Sequence, residues 1–269
     1  MAGHQGTPLR VMTFNIKYDD AASPVAAWAP RRAAVAATIR AAAPDVVGLQ
    51  EVQSHQLADL RADLPEYEAV GVGRDDGAAG GEHVPLLVRR AAWRIAEWGT
   101  FWLSETPAVP SRFAGTTFPR TCTWAVLEPV DGAGRAGSIG VWNVHLDHES
   151  TDAQAFGLRV VLDAVRERGD VPAVVLGDLN AGPRTEPLAV VAGALHDART
   201  RSRTAPTGPG GTFHDWVPDA VADTAGDDDS RIDHVLVSDA VGVVAYDVPV
   251  PGPGVVPSDH LPVVVDLTV

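Results

Sequence analysis

Apolar and polar positions along this chain change period repeatedly, and each change marks an element. Leu9-Arg10-Val11-Met12-Thr13-Phe14-Asn15-Ile16 alternates as a half-buried strand does. Residues 31–43 are alanine-rich with apolar positions at helical spacing, and Pro44 follows their end. Asp45-Val46-Val47-Gly48-Leu49-Gln50-Glu51 is a second strand with a polar C-terminal tip. A short helix is predicted over 55–64, a strand over 68–72 and a Gly/Asp loop over 73–81. Further strands are predicted over 85–90, 123–129 and 138–146, and a helix over about 152–168. Val174-Val175-Leu176 is a β-branched apolar run of the kind buried strands carry. Residues 206–226 are Gly/Pro-rich and form a surface loop in this reading, with closing strands over 232–238 and 263–269. There is no repeat of solenoid period and no linker between the halves. The pattern predicts one domain over 9–269 behind a flexible segment at 1–8, a β-rich α/β sandwich with helices outside its sheets.

Composition narrows this picture. At 269 residues and 45% hydrophobic, the chain can bury a substantial core and is not mainly disordered. Its apolar stretches are strand-length, far short of a membrane span, and no exposed apolar hairpin or basic amphipathic helix suggests a lipid surface. The N-terminus lacks the basic and apolar regions of a signal peptide, so a cytoplasmic location is expected. One cysteine, Cys122, excludes an internal disulfide. The net charge of −14 and a single lysine, Lys17, argue against a nucleic-acid track, which needs clustered Lys and Arg.

Against this background the polar residues at strand ends stand out. Gly177-Asp178-Leu179-Asn180 ends an apolar strand, and residues i and i+2 of an extended segment share a face. A carboxylate and a carboxamide converging there suit a hard divalent cation and a phosphate oxygen. The same four residues also make an ordinary turn. Ser258-Asp259-His260 repeats the arrangement just before the closing strand. Glu51 is either a solvated strand end or a metal-binding carboxylate. Asn15 lies inside a strand, where asparagine is depleted and costly to bury without partners. Alternation puts Asn143, His145 and Asp147 on one face. Asp233 begins an apolar strand as a turn residue or as the group that orients a histidine.

Taken together, Thr13-Phe14-Asn15-Ile16, Leu49-Gln50-Glu51, Asn143-Val144-His145-Leu146-Asp147-His148, Gly177-Asp178-Leu179-Asn180, Arg231-Ile232-Asp233-His234 and Ser258-Asp259-His260 resemble the endonuclease/exonuclease/phosphatase superfamily, in its order and over nearly the whole chain. Residues 98–107 and 119–125 look like a bacterial subgroup of metal-dependent phosphoesterases. His234 departs from the family, where tyrosine is frequent at that point. The resemblance implies a four-layered α/β/β/α sandwich of two mainly antiparallel mixed sheets, and Mg²⁺- or Mn²⁺-dependent cleavage of phosphate esters.

It also implies roles. Glu51 would ligate the metal, with Asn15 and Asp259 completing its oxygen shell. Asp178 would activate the attacking water and Asn180 would position the phosphate. His260, oriented by Asp233, would stabilise the transition state, and His145 would donate to a phosphate oxygen. Arg120 and Arg31 would meet a second substrate charge unless they serve structural ion pairs. Asn143 supports the site or contacts substrate. Trp102 and Phe213, with Trp28 and Trp216, would form a stacking rim unless they belong to the core. The acid balance favours a small phosphorylated metabolite, sugar phosphate or nucleotide over DNA or RNA; a nuclease is the alternative, and an inactive binding protein a distant third. Substrate identity, phosphomonoester against phosphodiester, and oligomeric state are not readable from the sequence.

Overall fold

The computed structural model describes residues 6–130, 137–219, 229–252 and 254–269. In chain order the first half comprises β1 (Pro8–Asn15), α1 (Trp28–Ala42), β2 (Val46–Gln50), α2 (Ser54–Asp63), β3 (Tyr67–Val70), β4 (Leu86–Arg89), β5 (Trp93–Trp102) and β6 (Thr121–Pro129). The second half comprises β7 (Ile139–His145), α3 (Thr151–Arg166), β8 (Ala173–Asp178), α4 (Glu186–Ala189), β9 (His196–Asp197), α5 (Ala198–Arg201), β10 (Asp233–Val237), β11 (Gly242–Asp247) and β12 (Val263–Thr268).

One unit occurs twice. β1 and β2 are parallel and joined through α1; β7 and β8 are parallel and joined through α3. Parallel neighbours need a crossover of this kind. All other pairings between these strands are antiparallel, and two six-stranded sheets result, ordered β11-β12-β1-β2-β4-β3 and β5-β6-β7-β8-β10-β9.

Strand periodicity assigns each side chain to a layer. Val11, Val46, Leu86, Val141, Leu176, Val235 and Val263 pack between the sheets. Their neighbours Met12, Phe14, Val47 and Leu49 face outward to meet Val35 and Ile39 of α1 and Leu57 and Leu60 of α2. On the other sheet Trp142, Val144 and Val175 meet Leu158 and Val161 of α3. The architecture is therefore the expected α/β/β/α sandwich. Among the described residues no helix is long and apolar enough to cross a membrane.

Where pattern and structure differ, the cause is edge exposure. β5 and β11 are edge strands, half exposed, so neither shows the alternation of a strand with one buried face. α1 starts three residues before the predicted helix, at Trp28, whose N–H donates to Asp19. It ends at Ala43, left-handed at φ 48°, with Pro44 next. The segment expected to be loose to residue 8 is already paired at Thr7, which exchanges two backbone hydrogen bonds with Val269. Residues 1–5 of that segment, and 220–226 of the Gly/Pro-rich loop, lie outside the described residues.

A polar clasp joins the sheets near one end. Asn143 of β7 donates to the carbonyls of Leu49 and Pro85, both at 2.8 Å, and accepts from Gln50 Nε2 at 2.7 Å. The sheets meet closely here because Gly48 has no side chain: a Cβ would stand 2.1 Å from Leu176 Cδ1 and 2.7 Å from Asn143 Cγ. Gly48→Ala should therefore lower stability by about 1–3 kcal/mol through overpacking. Urea unfolding checks this; an unchanged midpoint would mean that the two layers carry slack at this point.

Candidate active site

Strand order brings the ends of the two parallel units together. Asn15 ends β1, Glu51 follows β2, His145 ends β7 and Asp178 ends β8. The Asn15 amide of one sheet donates to Asp178 Oδ2 of the other and to Glu51 Oε1, both at 3.0 Å. Asp233 enters at the start of β10, and Asp259 and His260 in the segment before β12. Glu51, His145, Asp178, Asp259 and His260 line a cavity of about 650 Å³, and Asn15 and Asp233 are bonded to them. Lys17, Glu51, Asn180 and Asp215, four of the six non-glycine residues with left-handed backbone among the described residues, line it. Such strain persists only where surroundings over-determine the chain, and it gathers at functional sites.

Asp178 is the centre. Its Oδ1 accepts the Asn180 N–H at 2.9 Å, and its Oδ2 faces His145 Nε2 at 3.6 Å and His260 Nε2 at 3.8 Å. Burial, then the nearby charge of Asp233, push the Asp178 carboxyl up to about 7. His260 is driven the other way. Burial disfavours its cation, but the Asp233 carboxylate, bonded to Nδ1 at 2.8 Å, prevails with help from Asp178, and the imidazole is pushed up to about 10.

The second histidine carries the opposite charge state. Arg120 donates from Nη1 to His145 Nδ1 at 3.1 Å and from Nη2 to His148 Nδ1 at 2.7 Å. A guanidinium has no acceptor, so His145 Nδ1 must present a lone pair and Nε2 must carry the proton. Burial, Arg120 and Arg74 together hold the His145 imidazole well below its usual range. Asp178 thus lies between a neutral imidazole donor and an imidazolium.

On the floor, Lys17 Nζ stands 3.3 Å from Asp259 Oδ2 and 3.6 Å from Glu51 Oε2. Asp178, Asp233 and His260 also offer ligand atoms within 4.8 Å of one another. A metal there would need the His260 lone pair, yet that ring is protonated between two carboxylates. Glu51 and Asp259 are the better cation seat, because they already enclose a positive charge.

Several predicted residues lie elsewhere. Arg31, 2% exposed, is not at the pocket; it donates to the carbonyls of Ile16, Lys17, Tyr18, Ala26 and Pro257 and ties the loop after β1 to the segment before His260. Its role is structural, without the ion pair that was the alternative. Asn143 is the sheet clasp, fully buried and not among the residues that line the cavity. Trp102 is buried and gives its indole N–H to the Arg74 carbonyl at 2.7 Å, supporting the 73–81 loop. Trp28 is buried in α1, and Trp216 covers Arg31. Only Phe213 of the four aromatics lines the cavity, tilted over His260 with ring centroids 5.1 Å apart. Asn15 is also turned: its oxygen accepts the Lys17 N–H and its NH₂ bridges two carboxylates, so it orients them as a donor. Arg120 lines the cavity, but its contacts are the two histidines and an ion pair with Asp147, whose Oδ2 lies 3.9 Å from Nε.

The sequence reading missed the opposite wall. Arg74 and Glu82 pair at 2.7 Å across the mouth of the 73–81 loop, and the Arg74 guanidinium lies over Phe118, 4.8 Å from its centroid. Lys17, Tyr18, Gln53 and His148 complete it. The one available signal was charged residues bracketing a glycine-rich loop. A separate groove of about 740 Å³, between α1 and the segment after β11, is walled mainly by Ala, Pro and Val and holds no such cluster.

Comparison with known proteins identifies the family and the fold. The endonuclease/exonuclease/phosphatase family profile matches residues 12–260. An endonuclease/exonuclease/phosphatase family protein from Bacteroides thetaiotaomicron is similar at 31% identity, covering 98% of each chain with a TM-score of 0.88. A mannosyl-6-phosphatase of Bacteroides thetaiotaomicron VPI-5482 is 30% identical over 97% of this chain and 100% of its own, with a TM-score of 0.88. TDP2 of D. rerio, solved with a single-strand DNA product, shares the fold at 16% identity and a TM-score of 0.73, over 98% of this chain and 100% of its own. No curated protein matches the chain.

The charge asymmetry of the two histidines is measurable. NMR titration should show His145 as the neutral Nε2–H tautomer throughout pH 5–8. In Asp233→Asn, the His260 midpoint should fall by about two units as its carboxylate partner is lost. A His260 midpoint unmoved by that change would contradict the assignment.

Proposed function

The chain belongs to the endonuclease/exonuclease/phosphatase family, whose members hydrolyse phosphate esters with divalent metals, and from that premise we propose that it is a Mg²⁺- or Mn²⁺-dependent phosphatase of a small hydroxylated metabolite such as a sugar phosphate. The observation that carries this reading is the Asp178 carboxylate flanked by one neutral and one protonated imidazole in a cavity the size of a small molecule. The donor set fits a divalent cation: Glu51 and Asp259 hold the Lys17 ammonium between their oxygens, so that point already favours positive charge. Oxygen ligands of this kind suit magnesium and manganese. Glu51 and Asp259 would hold the ion, which when bound polarises a phosphate oxygen and offsets charge on the leaving oxygen.

The protein's own groups do the rest. Asp178, poised near neutrality, takes a proton from the attacking water, oriented by its bonds from Asn15 and Asn180. The His260 imidazolium and the His145 Nε2–H offer donors to the phosphate oxygens, where negative charge grows in the transition state. Asp233 keeps His260 charged and fixed; Arg120 keeps His145 in the donating tautomer. Asn180, left-handed at φ 47°, holds its side chain against the Leu146 carbonyl at the cavity wall.

Three features support a small ester over a polynucleotide. The chain's charge is −14. The two arginines of the cavity are committed, Arg74 to Glu82 and Arg120 to two histidines, which leaves no basic track for a phosphodiester backbone. The paired Arg74–Glu82 wall beside the Phe118 and Tyr18 rings suits hydroxyl groups, and the 30% identical relative is a mannosyl-6-phosphatase.

A magnesium-supplemented panel of sugar phosphates, nucleotides and oligonucleotides should show release of phosphate from sugar phosphates. Asp178→Ala and His260→Ala should each lose about 10³-fold in kcat while remaining folded. Glu51→Gln should raise the metal concentration for half-maximal rate about tenfold. Salt-sensitive cleavage of oligonucleotides, with sugar phosphates untouched, would replace the phosphatase reading by the nuclease one.

A further inference from the structure

Lys17 is the chain's single lysine; every other basic residue apart from the histidines is arginine. That one lysine is the residue whose ammonium sits between Glu51 and Asp259. We propose that Lys17 is the resident counter-ion of the metal seat, an ammonium that the divalent cation must displace on binding and that thereby sets metal affinity. The proposal rests on the metal-dependent reading above and extends it to the regulation of that site.

The backbone is built to aim this side chain. Lys17 is left-handed at φ 57°, an unfavourable conformation for a residue with a Cβ. Three bonds hold it there: its N–H donates to Asn15 Oδ1 at 3.0 Å, and its carbonyl accepts from Arg31 Nη2 at 3.1 Å and Gln56 Nε2 at 2.9 Å. Arg31, itself buried, is thus the anchor of the loop that points Lys17 inward. The two carboxylates it meets are nearly buried, Asp259 at 3% and Glu51 at 9%, and without a cation they would face one another across a poorly solvated gap.

Lysine suits the role as arginine does not. An ammonium is a compact point charge on a flexible stem, strongly hydrated when released, whereas a planar guanidinium forms directional forks that resist release. The Lys17 side chain remains about a quarter exposed at the cavity wall, so it has somewhere to go. Co-occupancy is opposed by charge. With Nζ 3.3 and 3.6 Å from Asp259 and Glu51 oxygens, metal and ammonium would compete for the same two carboxylates and repel one another there. Entry of the metal therefore requires the lysine to leave, and the apparent affinity is lowered by that competition.

The single lysine makes the test clean. Protein grown with ¹³C,¹⁵N-lysine has one lysine spin system, which reports Lys17 alone. Titration with Mg²⁺ should move the Lys17 ε-methylene resonances with the midpoint that calorimetry gives for metal binding. Lys17→Met should bind Mg²⁺ about tenfold more tightly and, in EDTA, melt at a lower temperature than wild type, with the deficit closing when metal is added. An unmoved Lys17 signal at saturating Mg²⁺, or a Lys17→Met affinity equal to or below wild type, overturns the proposal while metal-dependent turnover of the wild type would leave the phosphatase reading intact. Absence of any metal response in both calorimetry and turnover removes both.

Discussion

The end of the sandwich that holds the site is governed by the burial of negative charge. Glu51, Asp178, Asp233 and Asp259 converge there, none more than 9% exposed. Carboxylates in such surroundings need compensation or they take up protons. The compensation is graded. Asp233 has a full cation in His260, and Glu51 and Asp259 share Lys17. Asp178 receives hydrogen bonds only from neutral donors, the Asn15 amide and the Asn180 N–H, and it is the carboxyl left near neutrality. Its one cationic neighbour, His260, stands 3.8 Å off and is bonded to Asp233, so burial prevails at Asp178.

The same logic separates the two histidines. They stand at similar distances from one carboxylate, 3.6 and 3.8 Å, and differ because of what lies behind them. An acid behind His260 makes a cation; a guanidinium behind His145 makes a neutral donor. Both depend on the sheets keeping their register, since Asn15 and Asp178 belong to different sheets and Asn143 with Gly48 fixes the distance between them.

Much of this was legible in the sequence because a polar residue at the end of an apolar strand has to emerge at a sheet edge. Asp178, Asn180, Glu51 and the Asp259-His260 pair stand out in that way; the pattern also gave a sandwich with helices outside, and the family resemblance its four layers. Asn143 did not, although it shares a face with His145. Two residues advance a strand by about 6.6 Å, enough to take one from the cavity wall into the space between the layers. Arg31 and Arg120 are chemically identical, and only the unpaired carbonyls of distant loops decide that one serves the scaffold and the other the histidines. Arg74, Glu82 and Phe118 come from loops without periodicity, and their convergence is a tertiary property. β5 and β11 escaped for a related reason, since an edge strand need not hide either face.

The Thr7–Val269 pairing places the start of β1 beside the last residue of the chain. β1 runs from there toward Asn15, and β12 arrives from the His260 end, so Thr7 and Val269 lie about 25 Å, the length of an eight-residue strand, from the cavity. A fused module, an affinity handle or an immobilising tether attached after Val269 would start from the base of the molecule, away from the entrance. For the same reason a short bridge from Val269 to Thr7 could close the polypeptide into a ring, and new ends could then be opened in an exposed loop.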